Sequence, residues 1–221
     1  MEKGKLIVIE GLDGSGKATQ TAALLRWMQA RGEKAVQITF PDYESDSSAL
    51  VRMYLAGEVG GVTEVNAYAA SSFYAADRYI SYQKKWKKQY LSGYTILSDR
   101  YTTSNAAHQM SKLPPGEWDG YLAWLEDYEY TRLCLPRPDR VVYLDMHPDT
   151  SRRLLQERSA RLGELMDIHE QNLSYLLECR RAALFAAEKL SWNVVSCCDG
   201  GEPRPMEAVN RDIRRILGDS V

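Results

Sequence analysis

No apolar run in this 221-residue chain approaches the ~20 residues that a membrane-spanning helix needs. Near the start, the only such stretch is Leu6-Ile7-Val8-Ile9, too short for the core of a secretion signal. Neither export nor membrane insertion is expected. No C-x-x-C pair occurs among Cys134, Cys179, Cys197 and Cys198, and two adjacent cysteines are poorly placed for a disulfide or a zinc site. The expectation is reduced, mostly buried thiols in a cytoplasmic protein. A surplus of charge is missing too, with 28 basic side chains against 30 acidic ones and a formal charge of −2. That balance argues against a protein that coats nucleic acid or adheres to a membrane by bulk charge. Any anionic ligand has to be met by local basic clusters. Repeats, low-complexity tracts and a linker are also absent, and the length suits one large domain.

What is present is alternation. Short apolar runs stand at 5–10, 34–40, 94–98, 140–145 and 192–197. Between them lie segments of helical spacing at 16–31, 46–56, 65–91, 102–132 (with a break near Pro114-Pro115), 148–157, 167–189 and 204–217. This pattern predicts an α/β fold of parallel strands with helices on both faces. Ligands then sit outside the carboxyl ends of the strands, so function is expected after Ile9, Phe40, Ser98 and Asp145. The basic run Lys84-Lys85-Trp86-Lys87-Lys88 reads as a solvated helix face, because five residues wrap more than one helical turn.

Gly11-Leu12-Asp13-Gly14-Ser15-Gly16-Lys17 follows the first apolar run directly and opens the first helical segment. Gly11 and Gly16 frame four residues ahead of Lys17, the spacing and context of a Walker A phosphate-binding loop. Glycines let successive backbone N–H groups turn inward around a phosphate, the helix adds its positive N-terminus, and Lys17 supplies a point charge to the outer phosphates. The plainer alternative is a Gly-rich turn that caps a helix. Ala18 stands where the general motif has the Ser or Thr that ligates magnesium. Thr19 is turned about 100° from that position, so a carboxylate elsewhere has to share the metal.

Such a loop fits ATPases, GTPases and small-molecule kinases alike. The run from Gly11 to Thr19 resembles the G-x-D-G-x-G-K-x-T of thymidylate kinases, in which the interior Asp faces the acceptor's sugar. The resemblance continues at Phe40-Pro41-Asp42-Tyr43, Arg78, Asp99-Arg100-Tyr101 and an arginine-bearing segment at 152–161, in order and over nearly the whole chain. It implies a three-layer P-loop fold of the nucleoside-monophosphate-kinase type, with a five-stranded parallel sheet flanked by helices. Residues 1–221 would form one kinase domain with a mobile lid at about 152–167. ATP is the implied phosphate donor, dTMP the acceptor, Mg2+ the metal and a homodimer the assembly.

The same resemblance assigns residues. Gly11, Asp13, Gly14, Ser15, Gly16, Lys17, Ala18 and Thr19 form the ATP-phosphate cradle, and Asp13 also meets the 3′-hydroxyl. Phe40, Pro41 and Tyr43 wall the acceptor. Arg100 forks onto the acceptor phosphate and bridges towards the transferred group, a task suited to a planar bidentate donor. Asp99 and Glu170 belong to the metal neighbourhood. Tyr74 and Arg78, at i,i+4, share a helix face on which a ring can stack on a base while a guanidinium donates to its carbonyl. Phe is usual at that aromatic position, and the register selects Tyr74 over Phe73. An intrahelical aromatic–Arg contact in the core wall is the alternative. Ser104, Asn105, His108 and Gln109 line base and deoxyribose, His108 standing where a Tyr that crowds a ribose 2′-hydroxyl is common; it also reads as an ordinary helix histidine. Arg158, as a catalytic residue, and Arg161, as an ATP-binding one, sit on a bacterial-type lid that pairs with a Gly-x-Gly loop and closes on the ATP phosphates, followed by Asp167-Ile168-His169-Glu170. Arg152 and Arg153 read equally as a solvated helix face.

The implied reaction is Mg-ATP plus dTMP giving ADP plus dTDP. The attacking phosphate is already an anion near neutral pH, so no general base is required, and catalysis reduces to alignment and charge neutralisation. Two alternatives stay open. One is another deoxynucleoside or nucleoside-monophosphate kinase. The other, favoured by Ala18, His108 and His169, is an ATP-binding homologue without turnover.

Overall fold

A computed structural model describes residues 3–61, 64–162 (158–162 by backbone alone) and 173–218. Strand β1 (Leu6–Gly11) is buried along its whole length, as a continuous apolar run demands when a sheet is covered on both faces. Helix α1 (Lys17–Ala30) and strand β2 (Ala35–Thr39) follow, then helices α2 (Ala49–Leu55), α3 (Ala67–Ser81) and α4 (Lys87–Leu91). Strand β3 (Thr95–Asp99) precedes α5 (Thr103–His108) and α6 (Trp118–Glu126), and β4 (Arg140–Asp145) precedes α7 (Pro148–Leu162) and α8 (Leu173–Lys189). The chain ends with β5 (Asn193–Ser196), a small hairpin of β6 (Cys198–Asp199) and β7 (Glu202–Pro203), and α9 (Met206–Ile216). The main sheet has the order β2-β3-β1-β4-β5 with every described pairing parallel.

Alternation along β1 divides the core in two. Leu6 and Val8 pack with Trp86, Tyr101, Tyr121, Tyr143 and the alanines of α8, whereas Ile7 and Ile9 pack with Leu24 and Met28 of α1 and Val209 and Ile213 of α9. The result is helix, sheet and helix in three layers. Register brings Asp99 opposite Ile9 on one side and Thr39 on the other. The carboxyl ends of β1, β2 and β3 therefore finish side by side.

The structure adds detail to three expectations. The long helical segment at 102–132 is divided into α5, two 3-10 turns (Met110–Lys112 and Pro115–Glu117), α6 and a π-helical turn (Asp127–Arg132). Leu113 is extended, as a residue before proline must be when the ring disfavours the helical region, and proline itself donates no N–H. The segment 65–91 is helical but holds a π-turn at Tyr82–Trp86. In that turn Trp86 is buried while Lys84 and Lys85, like Lys88 in α4, are exposed, so the basic run is largely a solvated face. Among the cysteines, all free, Cys179 and Cys197 are buried and Cys198 is half-buried, but Cys134 is exposed. No described helix is long and apolar enough to cross a membrane.

Candidate active site

A cleft of about 590 Å³ opens where β1, β2 and β3 end, walled further by α3, α5 and the facing sides of α7 and α8. From the phosphate loop, Asp13, Gly14, Gly16, Lys17, Ala18 and Thr19 face it, while Gly11 and Ser15 are buried behind. A Cβ on Gly11 would stand 2.6 Å from the Ser15 hydroxyl, which is itself buried without a hydrogen-bond partner among the described residues. Gly14 has φ 78°, and a Cβ there would lie 2.8 Å from the Ser151 carbonyl oxygen of α7. The Ser151 hydroxyl donates to the Asp13 carbonyl. The first turn of α7 is thus seated on the loop, and glycine is what permits the approach.

Lys17 is buried, donates to the Leu12 carbonyl at 2.8 Å and stands 3.7 Å from the Asp13 carboxylate. Burial, then the Arg100 charge, pulls its pKa below the usual lysine value. Arg100 follows the buried end of β3 with φ 67°, a left-handed turn, and Tyr101 beyond it enters the core. The guanidinium donates to Asp13, lies 3.4 Å from the Ser104 hydroxyl and 3.3 Å from His108 Nε2, and stands 3.6 Å from the Glu10 carboxylate. Glu10, fully buried in β1, accepts from the Thr103 and Ser104 hydroxyls at 2.7 Å each. Burial works to raise the Asp13 pKa, but Arg100 and Lys17 outweigh it and hold the carboxyl well below the ordinary range. Asp99 goes the other way, pushed up by burial more than Lys17 and Arg100 pull it down.

Burial, then Arg100, lowers the His108 pKa to about 4, so the ring is neutral at pH 7. A guanidinium can only donate. Nε2 therefore accepts, and the ring proton is assigned to Nδ1, which faces the Tyr175 hydroxyl at 3.5 Å.

At the other end of the cleft, Phe40, Pro41 and the half-exposed Tyr43 form one wall, with Phe40 tilted on the Tyr101 ring at 5.9 Å. Buried Asp77 holds the loop that carries them, accepting from the Asp42 backbone N–H at 2.8 Å and the Ser47 hydroxyl at 2.5 Å. Tyr74 faces the cleft, and Phe73 does not line it but packs on Tyr54. Arg78 also lines the cleft, yet it is 1% exposed and its Nε and Nη2 are taken by Glu129 at 2.6 and 2.5 Å. Asn105 donates to the same carboxylate at 3.3 Å, and Gln109 keeps a buried amide oxygen without a partner among the described residues.

The cleft joins a phosphate loop, a cationic pair and an aromatic pocket, and the sequence profile of thymidylate kinases matches this chain over residues 9–212. The chain belongs to the thymidylate kinase family. The thymidylate kinase of Arabidopsis thaliana is 27% identical over 227 residues, 99% of this chain and 73% of that protein. That of Mycobacterium tuberculosis (strain CDC 1551 / Oshkosh) is 30% identical over 184 residues, 82% of this chain and 84% of that protein. The solved thymidylate kinase of Candida albicans shares the fold with a TM-score of 0.69 at 23% identity, covering 97% of this chain and 91% of that one.

Within this thymidylate kinase family member, Arg158 and Arg161 fall on the helical backbone of α7, and their side chains, like Asp167, His169 and Glu170, lie outside the described residues. Arg153 is a surface residue paired with Glu202 at 2.6 Å. No three His, Cys, Asp or Glu side chains among the described residues cluster as a metal cage. Four contributors escaped sequence reasoning: Glu10, Glu129, Ser151 and Tyr175. Only Glu10 left a signal, as the one charged residue in the otherwise apolar run of β1. The others join the site from distant segments with no local pattern.

Proposed function

We infer that this chain transfers the γ-phosphoryl group of ATP to dTMP, giving ADP and dTDP. The observation that carries this reading is the placement of Arg100 between the loop bearing Lys17 and the pocket walled by Phe40 and Tyr74. A donor phosphate chain on the loop and an acceptor nucleotide in the pocket would meet at that guanidinium. Lys17 neutralises the outer donor phosphates and Arg100 the acceptor phosphate, exchanging its Asp13 contact for the anion. Asp13, freed, is left to accept from the 3′-hydroxyl. Tyr74 stacks on the base; Arg78 and Asn105 supply its hydrogen bonds, and Ser104, His108 and Gln109 line the sugar side. No general base takes part.

Magnesium would take its protein ligand from a carboxylate oxygen at the loop, that of Asp99, buried beside Lys17 and Arg100, with Ala18 offering no ligand. When bound, the ion neutralises charge on the β- and γ-phosphate oxygens. We assign Glu170 to the same neighbourhood, and Arg158 with Arg161 to a lid at about 152–167. The seating of α7 on the phosphate loop through Ser151 supports that lid placement. A homodimer is proposed with it, supported by Tyr68 and Tyr79, which lie about three turns apart on α3 and are both exposed. Low net charge supports a small-molecule acceptor and no nucleic-acid partner, and the reading places the enzyme in the cytoplasm with its ATP.

A coupled ADP-release assay with Mg-ATP against dTMP, dUMP, UMP and thymidine tests this. Turnover is expected with dTMP, exceeding that with UMP. Phosphorylation of thymidine but not dTMP sinks the assignment.

A further inference from the structure

Glu129 lies in the π-helical turn Asp127–Arg132 and is completely buried. Its carboxylate collects four donors: Arg78 Nε at 2.6 Å, Arg78 Nη2 at 2.5 Å, Thr102 Oγ1 at 3.2 Å and Asn105 Nδ2 at 3.3 Å. That fills the capacity of an ionised carboxylate, which accepts at about four positions and donates at none. The donors come from α3, the turn after β3 and α5, and two of them, Arg78 and Asn105, line the acceptor end of the cleft.

Two consequences follow from the chemistry of these groups. The Arg78–Glu129 unit carries no net charge, so Arg78 offers the cleft hydrogen-bond donors without the attraction for phosphate that a lone guanidinium exerts. With Nε, one Nη2 proton and one Nη1 proton (towards the Tyr101 carbonyl at 3.4 Å) engaged, two N–H groups remain. Asn105 is set as well. Its amide nitrogen faces two acceptors, Glu129 and the Ser71 carbonyl at 3.4 Å, which leaves its oxygen as the acceptor. The wall thus offers a donor from Arg78 and an acceptor from Asn105.

We propose that Glu129 is the positioning residue for base selection, holding Arg78 and Asn105 in the donor–acceptor order that complements a carbonyl beside an N–H. Thymine and uracil carry that edge. Cytosine presents an amino group beside a bare ring nitrogen and is mismatched at both points. A site built around directed hydrogen bonds rejects the wrong pattern strongly, because its own buried groups are left unpaired. Glu129 touches no substrate and acts only through these two side chains.

The inference rests on the dTMP kinase reading, and the test separates the two. Steady-state kinetics of the full chain with dTMP and dCMP are compared for wild type and Glu129→Gln. An amide must turn an N–H towards Arg78, Thr102 or Asn105, and the buried guanidinium loses its counter-charge. The expected result is at least a tenfold fall in the dTMP-to-dCMP ratio of kcat/KM, carried by KM for dTMP, with KM for ATP unchanged. An unchanged ratio overturns the role of Glu129, whereas a wild type inactive on dTMP overturns the kinase reading beneath it. Should Glu129→Gln fail to fold by thermal denaturation, Glu129→Asp keeps the charge on an arm one methylene shorter. That variant is expected to raise KM for dTMP about tenfold while keeping the preference over dCMP, and an unchanged KM overturns the proposal.

Discussion

The carboxylate of Asp13 accepts a hydrogen bond from the guanidinium of Arg100, so the phosphate loop and the turn after β3 close on each other across the cleft. Lys17, 3.7 Å from the same carboxylate, completes a cluster in which two cations face Asp13, Glu10 and Asp99. The acidic partners keep the cations ordered in a fixed place. A phosphate anion competes for them with charge-assisted bonds of the same kind.

Replacing Arg100 by Ala removes the acceptor clamp while leaving the loop that holds ATP. Losing one such contact costs ~3–4 kcal/mol of transition-state stabilisation, or about two to three decades of turnover. Stopped-time ADP release should register that loss while calorimetry gives an ATP affinity close to wild type. Unchanged activity would show the assignment of Arg100 to be wrong.

Acid should weaken the fold through His108. Its pKa falls from the ordinary 6.5 to about 4 in the folded chain, through burial and then Arg100. Between those values the unfolded chain binds more protons, so the stability is fully present above about pH 6.5 and is lost as pH falls towards about 4. The full shift corresponds to ~3 kcal/mol as an upper bound. Urea denaturation at stepped pH is expected to show a steeper loss in wild type than in His108→Gln, and parallel curves would refute it.

Arg78→Ala strands Glu129, a buried carboxylate, without its counter-ion. Breaking such a pair costs ~3–5 kcal/mol, so the variant should unfold at clearly lower denaturant, beyond any effect on substrate binding. Tyr74→Ala, at a half-buried position on the same helix, is expected to raise KM for dTMP with a smaller loss of stability. Equal stability losses would mean that Arg78 is not the structural anchor its contacts indicate.

Gly14→Ala tests the seat of α7 on the loop. The new methyl meets the Ser151 carbonyl at 2.8 Å and Leu155 at 3.0 Å, in a backbone conformation with φ 78°. The left-handed strain alone is ~1–2 kcal/mol. A lower melting temperature together with weaker ATP binding is expected; wild-type values for both would exclude a tight contact here.

Strand positions, the phosphate loop and the side of the sheet that carries the site were legible because each is a local property. Apolar runs such as Leu6–Ile9 must be buried wherever they lie, and the glycines and Lys17 act within seven consecutive residues of chain. Tyr74 against Phe73 was likewise settled by helical register, since one residue turns a side chain by about 100°. The break at Pro114-Pro115 was readable as well, though the π-turns around Trp86 and Glu129 were not.

Only the tertiary structure decided who holds the ligand-facing side chains. Arg78 and Glu129 meet from positions 51 apart, and Tyr175 and His108 from positions 67 apart, distances over which no hydrophobic period carries information. Whether Arg78 is a free cation or half of a neutral pair depends on how α3, α5 and the turn after α6 pack together. The amino-acid sequence by itself therefore determined the fold and the phosphate chemistry. The charge state and direction of the groups around the acceptor came from helix packing, which brings buried polar partners together because none of them can stay unpaired away from water.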